Sequence, residues 1–184
     1  MFNKLIELLI DFVGLFYVGT VVDQYERAVV LRLGKFKREL GPGFHWLWPL
    51  AIECALKANV VPESNDLPAQ AITTADGKNV VFSAVVVYQV RDVRKLLLET
   101  EDAETVLADA SRGTLRRALC ALDWDELRRG GEQLDQELTQ AVRSKAFRWG
   151  IEVLSVSLSD LSRTAVLRLV HDTDSRRAVY SDDA

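Results

Sequence analysis

Apolar positions recur along this chain in distinct rhythms. In residues 1–22, MFNKLIELLIDFVGLFYVGTVV, a helical wheel gathers Asn3, Lys4, Glu7, Asp11 and Gly14 into an arc of roughly 100° at 3.6 residues per turn. Phe2, Leu5, Ile6, Leu9, Phe12, Val13, Phe16 and Tyr17 fill the opposite side. The longest uncharged run, between Asp11 and Asp23, holds 11 residues, whereas a helix crossing a bilayer needs about 20. A narrow polar stripe on a wide apolar face predicts a helix lying in the plane of a membrane interface. Packing of the same face on the domain or on another subunit is one alternative; spanning or re-entrant insertion is another. The segment lacks the basic region and small-residue cleavage site of a secretory signal.

From residue 24 the rhythm becomes that of strands. QYERAVVLRL, 24–33, predicts a strand closed by Gly34. The basic cluster Lys35, Lys37 and Arg38 follows and reads as a solvated turn, with a binding patch as the alternative. Gly41-Pro42-Gly43 predicts a tight turn. After it come Phe44, Trp46 and Trp48, much apolar surface for a loop. They either touch a membrane interface, where an indole ring is buried with its N–H wet, or pack under the strands. Residues 52–61, 69–74 and 78–90 predict further strands, the last two joined across Ala75-Asp76-Gly77. The β-branched run from Val80 to Val90 suits a central strand.

From residue 92 the period is helical. Asp92 caps a short helix holding Leu96 and Leu97. Residues 102–122 keep helical spacing, Asp123-Trp124-Asp125 breaks and recaps, and 132–149 forms another helix ending at Gly150. Residues 151–158 alternate as a final strand, with Ile151, Val153 and either Leu154 or Val156 inward. Residues 162–180 return to helical spacing and end in an acidic tail. The expected fold is α+β, a mostly antiparallel sheet with helices packed on one face, preceded by the amphipathic membrane helix. Its expected division is an attachment segment at 1–21, a domain at 22–161 and a short helix and tail at 162–184.

Composition narrows the function. The chain has 184 residues and a net charge of −4, and its pI near 5.3 argues against nucleic acid as a partner. Two cysteines, Cys54 and Cys120, cannot build a disulfide framework or a four-thiolate zinc site; buried free thiols are expected. No phosphate-binding glycine loop, GxSxG elbow or HExxH pair occurs, and Ser83 lies mid-strand without a nearby histidine. No catalysis, cofactor or metal is expected. The helices at 132–149 and 162–180 have mixed-charge polar faces suited to side-by-side pairing. Leu134, Leu138, Val142, Val166 and Leu169 are the expected subunit contacts.

Several blocks in order resemble one family. Glu26-Arg27-Ala28-Val29-Val30-Leu31-Arg32-Leu33-Gly34-Lys35 is the first. Leu40-Gly41-Pro42-Gly43-Phe44-His45, closed by Pro49, is the second. Ala71-Ile72-Thr73-Thr74-Ala75-Asp76-Gly77 and the valine-rich strand ending Tyr88-Gln89-Val90 make the third; Leu115-Arg116 and Trp149-Gly150-Ile151 come later. From about Val21 to Leu161 the sequence resembles the SPFH or Band 7 superfamily of stomatins, prohibitins, flotillins and HflK-HflC. The resemblance implies an α+β domain attached to one leaflet, non-enzymatic, assembling with copies of itself into rings or cages. It also implies a role in organising membrane microdomains and modulating membrane proteins such as a protease or channel. By the same resemblance, the leading segment and the loop after Gly43 would face the membrane. The long Ala/Glu-rich coiled coil usual in the family is not matched after Leu161, where no sustained heptad occurs. A flatter ring or smaller oligomer is the corresponding expectation.

Overall fold

The computed structural model describes residues 19–49 and 52–164. The first part is built from short strands: β1 Gly19–Val22, β2 Glu26–Arg32, β3 Lys35–Leu40, β4 Gly43–Trp46 and β5 Glu53–Asn59. β1 pairs with β4 alone, while β2 lies between β3 and β5; every pairing is antiparallel. Val22, Ala28, Val30, Leu40 and Leu47 close a small core between the two sheets. Two expectations are corrected here. The basic cluster is strand β3 rather than a turn, because the reversal needs only Leu33 and Gly34, at φ 50° and 78°, the conformation of a two-residue hairpin. Residues 43–46 are likewise a strand rather than a loop, completed by β1.

The second part is a sheet of order β6-β7-β8, with β6 Glu63–Thr73, β7 Asn79–Val90 and β8 Ile151–Arg163. β7 is central, as its composition suggested. Its burial alternates: Val80, Phe82, Ala84, Val86 and Tyr88 are buried and the residues between them mostly half-exposed. The β6–β7 connection is the expected hairpin. Gly77 sits at φ 76°, Thr74 N–H bonds to Lys78 O at 3.0 Å, and Asp76 is held by Lys78 and Thr74, which lower its pKa to about 2. β8 runs further than the alternation suggested. Ser162 and Arg163, expected in a helix, pair with Val81 and Val80. Leu154 and Ser159 are each an extra residue in β8, bulging it twice. The first bulge turns Leu154 outward, so that Val156 takes the inward place.

Helices cover one face of this sheet: α1 Val93–Glu99, α2 Ala103–Cys120, α3 Trp124–Arg129 and α4 Gly131–Ala146, with a 3₁₀ turn at Phe147–Trp149. Asp92 and Asp102 cap α1 and α2 by accepting Lys95 N–H at 3.0 Å and Thr105 N–H at 3.2 Å. Leu107, Leu115 and Leu119 of α2 meet Leu134, Leu138 and Val142 of α4 over the β7 side chains. Each such burial is worth about 1.5–3 kcal/mol. This corrects the proposed subunit contacts: Leu134, Leu138 and Val142 are spent on the chain's own core and present no surface to a neighbour. Val166 and Leu169 lie outside the described residues. The cysteine expectation also fails, Cys54 being exposed and Cys120 half-buried.

α4 also closes the outer rim of β8. Thr139 Oγ1 accepts Val156 N–H at 2.8 Å, and Asp135 Oδ1 accepts Leu158 N–H at 3.4 Å. Arg143 donates to Val153 O at 2.7 Å and Leu154 O at 3.2 Å. Helix side chains thus occupy the backbone groups that a free sheet edge would offer to another strand.

Candidate functional site

The β1–β4 ribbon carries its large apolar side chains on one face, and that face is exposed. Its register sets Gly19 opposite Trp46, Val21 opposite Phe44, and Val22 opposite Gly43. Because side chains alternate across a strand, Val22 turns inward while Val21, Phe44 and Trp46 turn outward together. Val22 is buried with Leu47 in the small core. Phe44 is 55% exposed and Trp46 and Trp48 are each 53% exposed. The Phe44 and Trp46 rings meet edge-on, centroids 6.5 Å apart and planes at 71°. Gly19 lies beneath them, and a Cβ at that position would push the Phe44 ring aside.

The polar side of the ribbon is tied down. Glu53 is 3% exposed and its carboxylate accepts Arg38 Nη2 at 3.4 Å and Trp48 N–H at 3.3 Å. Arg38 Nη2 also donates to Trp46 O at 3.0 Å. His45 Nε2 donates to Gly41 O at 2.7 Å. Lys57 Nζ reaches Val21 O at 2.6 Å and pairs with Glu26 at 3.3 Å. The Arg32 guanidinium lies over the Trp48 ring, 5.0 Å from its centroid. Backbone and cations hold the ribbon from one side and leave the aromatic rings facing out from the other.

Phe44 and Trp46, singled out in the sequence, therefore share one exposed face, and Trp48 is exposed two residues further on beneath Arg32; Leu47, between the two indoles, packs inward. Phe2, Leu5, Ile6, Leu9, Phe12, Val13 and Phe16 lie outside the described residues. The segment that holds them joins the ribbon directly at Gly19, the register partner of Trp46. Sequence reading missed Val21 and the Arg38–Glu53 clamp. Alternation in Gly19–Val22 could have found the first; nothing local marks Glu53 as the acid that accepts from Trp48 N–H and from Arg38.

Elsewhere the chemistry is structural. Tyr88 is pushed up to about 12 by burial and by its hydrogen bond to Glu63 at 3.1 Å. Asp102 is lowered by its cap bonds to Thr105. A groove of about 910 Å³ between the two parts mixes Arg27, Arg91 and Arg94 with Glu39, Asp92 and Glu152. Among the described residues, no three His, Cys, Asp or Glu side chains are grouped to hold a metal ion, and no helix is long and apolar enough to cross a membrane.

An α+β domain is the architecture the sequence blocks implied; the leading antiparallel ribbon is not. Residues 20–168 match the SPFH domain / Band 7 family, and the chain belongs to that family. It is 30% identical to a stomatin homolog of Pyrococcus horikoshii over 79% of this chain and 54% of that protein. It is 28% identical to stomatin-4 of Caenorhabditis elegans, over 79% of this chain and 52% of the relative. An uncharacterized protein of Methanocaldococcus jannaschii is 28% identical over 84% of this chain and 78% of its own length. The chain thus spans about half the length of these two stomatin relatives.

Proposed function

We propose that this protein is a non-enzymatic scaffold that seats on one membrane leaflet and associates with its own copies. The apolar segment before Gly19, expected as the anchor within residues 1–21, lies in the plane of the interface, and the outward face of the β1–β4 ribbon lies beside it. The observation that supports this most is the patch of Phe44, Trp46 and Trp48, half-exposed at the point where the apolar leading segment enters the domain. Large exposed aromatics cost free energy in water and are at home at the headgroup boundary. Burying three such side chains contributes on the order of 5 kcal/mol, and several copies in one assembly multiply the attachment. For self-association, the surface of α4 that remains outward carries Gln133, Gln136, Glu137 and Gln140. It replaces the buried leucines as the candidate contact.

Flotation with liposomes tests the attachment. The intact chain floats; removal of residues 1–20 lowers the floated fraction severely, and Phe44→Ser with Trp46→Ser lowers it at least tenfold in partition coefficient. Flotation unchanged by both overturns the reading. The mass of the particle in detergent or nanodiscs tests self-association, and a lone monomer at every concentration refutes it. A single stoichiometric membrane protease or channel co-purifying from gently solubilised membranes would instead make it that partner's accessory regulator.

A further inference from the structure

The β2–β3 hairpin tip stands next to the aromatic patch. Leu33 there is the one non-glycine with positive φ among the described residues, and it is 77% exposed. Leucine is disfavoured in that conformation, and two-residue hairpins of this kind prefer Asn, Asp or Gly. No burial offsets the strain. Register places Arg32 opposite Lys35, the last pair before the tip. Like charges facing each other across a ladder repel. Arg32 reaches Trp48 rather than an acid, Glu53 is engaged by Arg38, and no ion pair among the described residues includes Lys35. A strained exposed leucine, a pair of facing cations and an exposed indole therefore converge at one end of the molecule.

We propose that this tip is a contact for anionic phospholipid: Leu33 enters the interface while Arg32 and Lys35 take the headgroup phosphodiesters. The proposal rests on the membrane reading above and adds lipid selectivity to it. Two local costs in the free protein, the exposed leucine and the facing cations, are relieved by one surface, which is apolar beneath and negative at its rim. The anionic headgroup ends the repulsion between Arg32 and Lys35, and the interface takes up the leucine. The acidic chain as a whole repels such a surface, so the attraction is local to the tip.

The test compares full-length protein on vesicles of pure phosphatidylcholine with vesicles containing phosphatidylglycerol as three lipids in ten. A cation near an anionic surface contributes about fivefold in partitioning. Lys35→Gln therefore lowers binding to the anionic vesicles about fivefold and leaves binding to the neutral ones within twofold. Arg129→Gln, the same charge change on the exposed end of α3, leaves the preference intact. Leu33→Gly relieves the backbone strain, so it melts no lower than the parent, yet binds both vesicles several-fold less. Wild-type binding that is equal on the two vesicles, or a preference untouched by the tip variants, overturns the proposal and leaves the membrane reading standing. Binding to neither vesicle overturns both.

Discussion

Gly150 closes the turn after α4 at φ 75°, and its carbonyl accepts Arg91 N–H at 2.9 Å and Asp92 N–H at 3.0 Å. A Cβ there would press on the Asp92 carbonyl oxygen and lie 2.9 Å from the Asp92 Cβ. Gly77, at φ 76°, has open space where its Cβ would go. Gly150→Ala and Gly77→Ala therefore share one backbone penalty and differ in the clash. The shared term is about 1 kcal/mol for an alanine in the left-handed region. At position 150 the chain must also back away from Asp92, giving up one or both of those hydrogen bonds at about 1 kcal/mol each and loosening the start of β8. We expect Gly77→Ala to lose about 1 kcal/mol and Gly150→Ala about 3 kcal/mol. At about 2–4 °C per kcal/mol for a domain of this size, the two melting temperatures separate by several degrees. Urea unfolding followed by tryptophan fluorescence measures both, with unchanged denaturant slope as the check that the transition is the same. Equal losses at the two positions would refute the close-approach argument and leave only the dihedral term.

Other expectations follow from single contacts. Thr139→Val leaves Val156 N–H without its acceptor and should cost about 1–3 kcal/mol, with hydrogen exchange accelerated first at Val156. Tyr88 is held neutral to about pH 12 by burial and Glu63. Its folded pKa is raised, so its stabilising contribution is complete below about pH 10 and is lost as pH climbs through 12. Spectrophotometric titration should show one phenol ionising late, and Tyr88→Phe should remove that phase. Leu138→Ala, in the centre of the helix–sheet core, should cost about 2–5 kcal/mol without the change in self-association that a subunit contact would give.

Much of this architecture is written in local patterns. Asp92, the hairpin at Asp76-Gly77 and the stop at Gly150 announce themselves because caps and tight turns need particular residues at particular places. The central position of β7 follows from its valines. Features set by pairing with distant residues are different. Lys35–Leu40 has the composition of a solvated turn and becomes a strand because β2 lies beside it. Gly43–Trp46 has the composition of a loop and becomes a strand because Gly19–Val22 completes it. Leu134, Leu138 and Val142 form an apolar stripe that fits a subunit contact or an internal core equally well; only the sheet beneath decides. At the candidate site the aromatic residues were visible from their excess alone. The side they face, and the leucine and cation pair next to them, depend on the register of the non-local β1–β4 pairing and of the β2–β3 hairpin.

The rim of β8 from Val153 to Leu158 bears on what another strand could do there. A bare edge would invite a second chain to zip its backbone alongside. With Thr139, Asp135 and Arg143 already bonded to those groups, a chain arriving along this stretch meets side chains instead of open backbone.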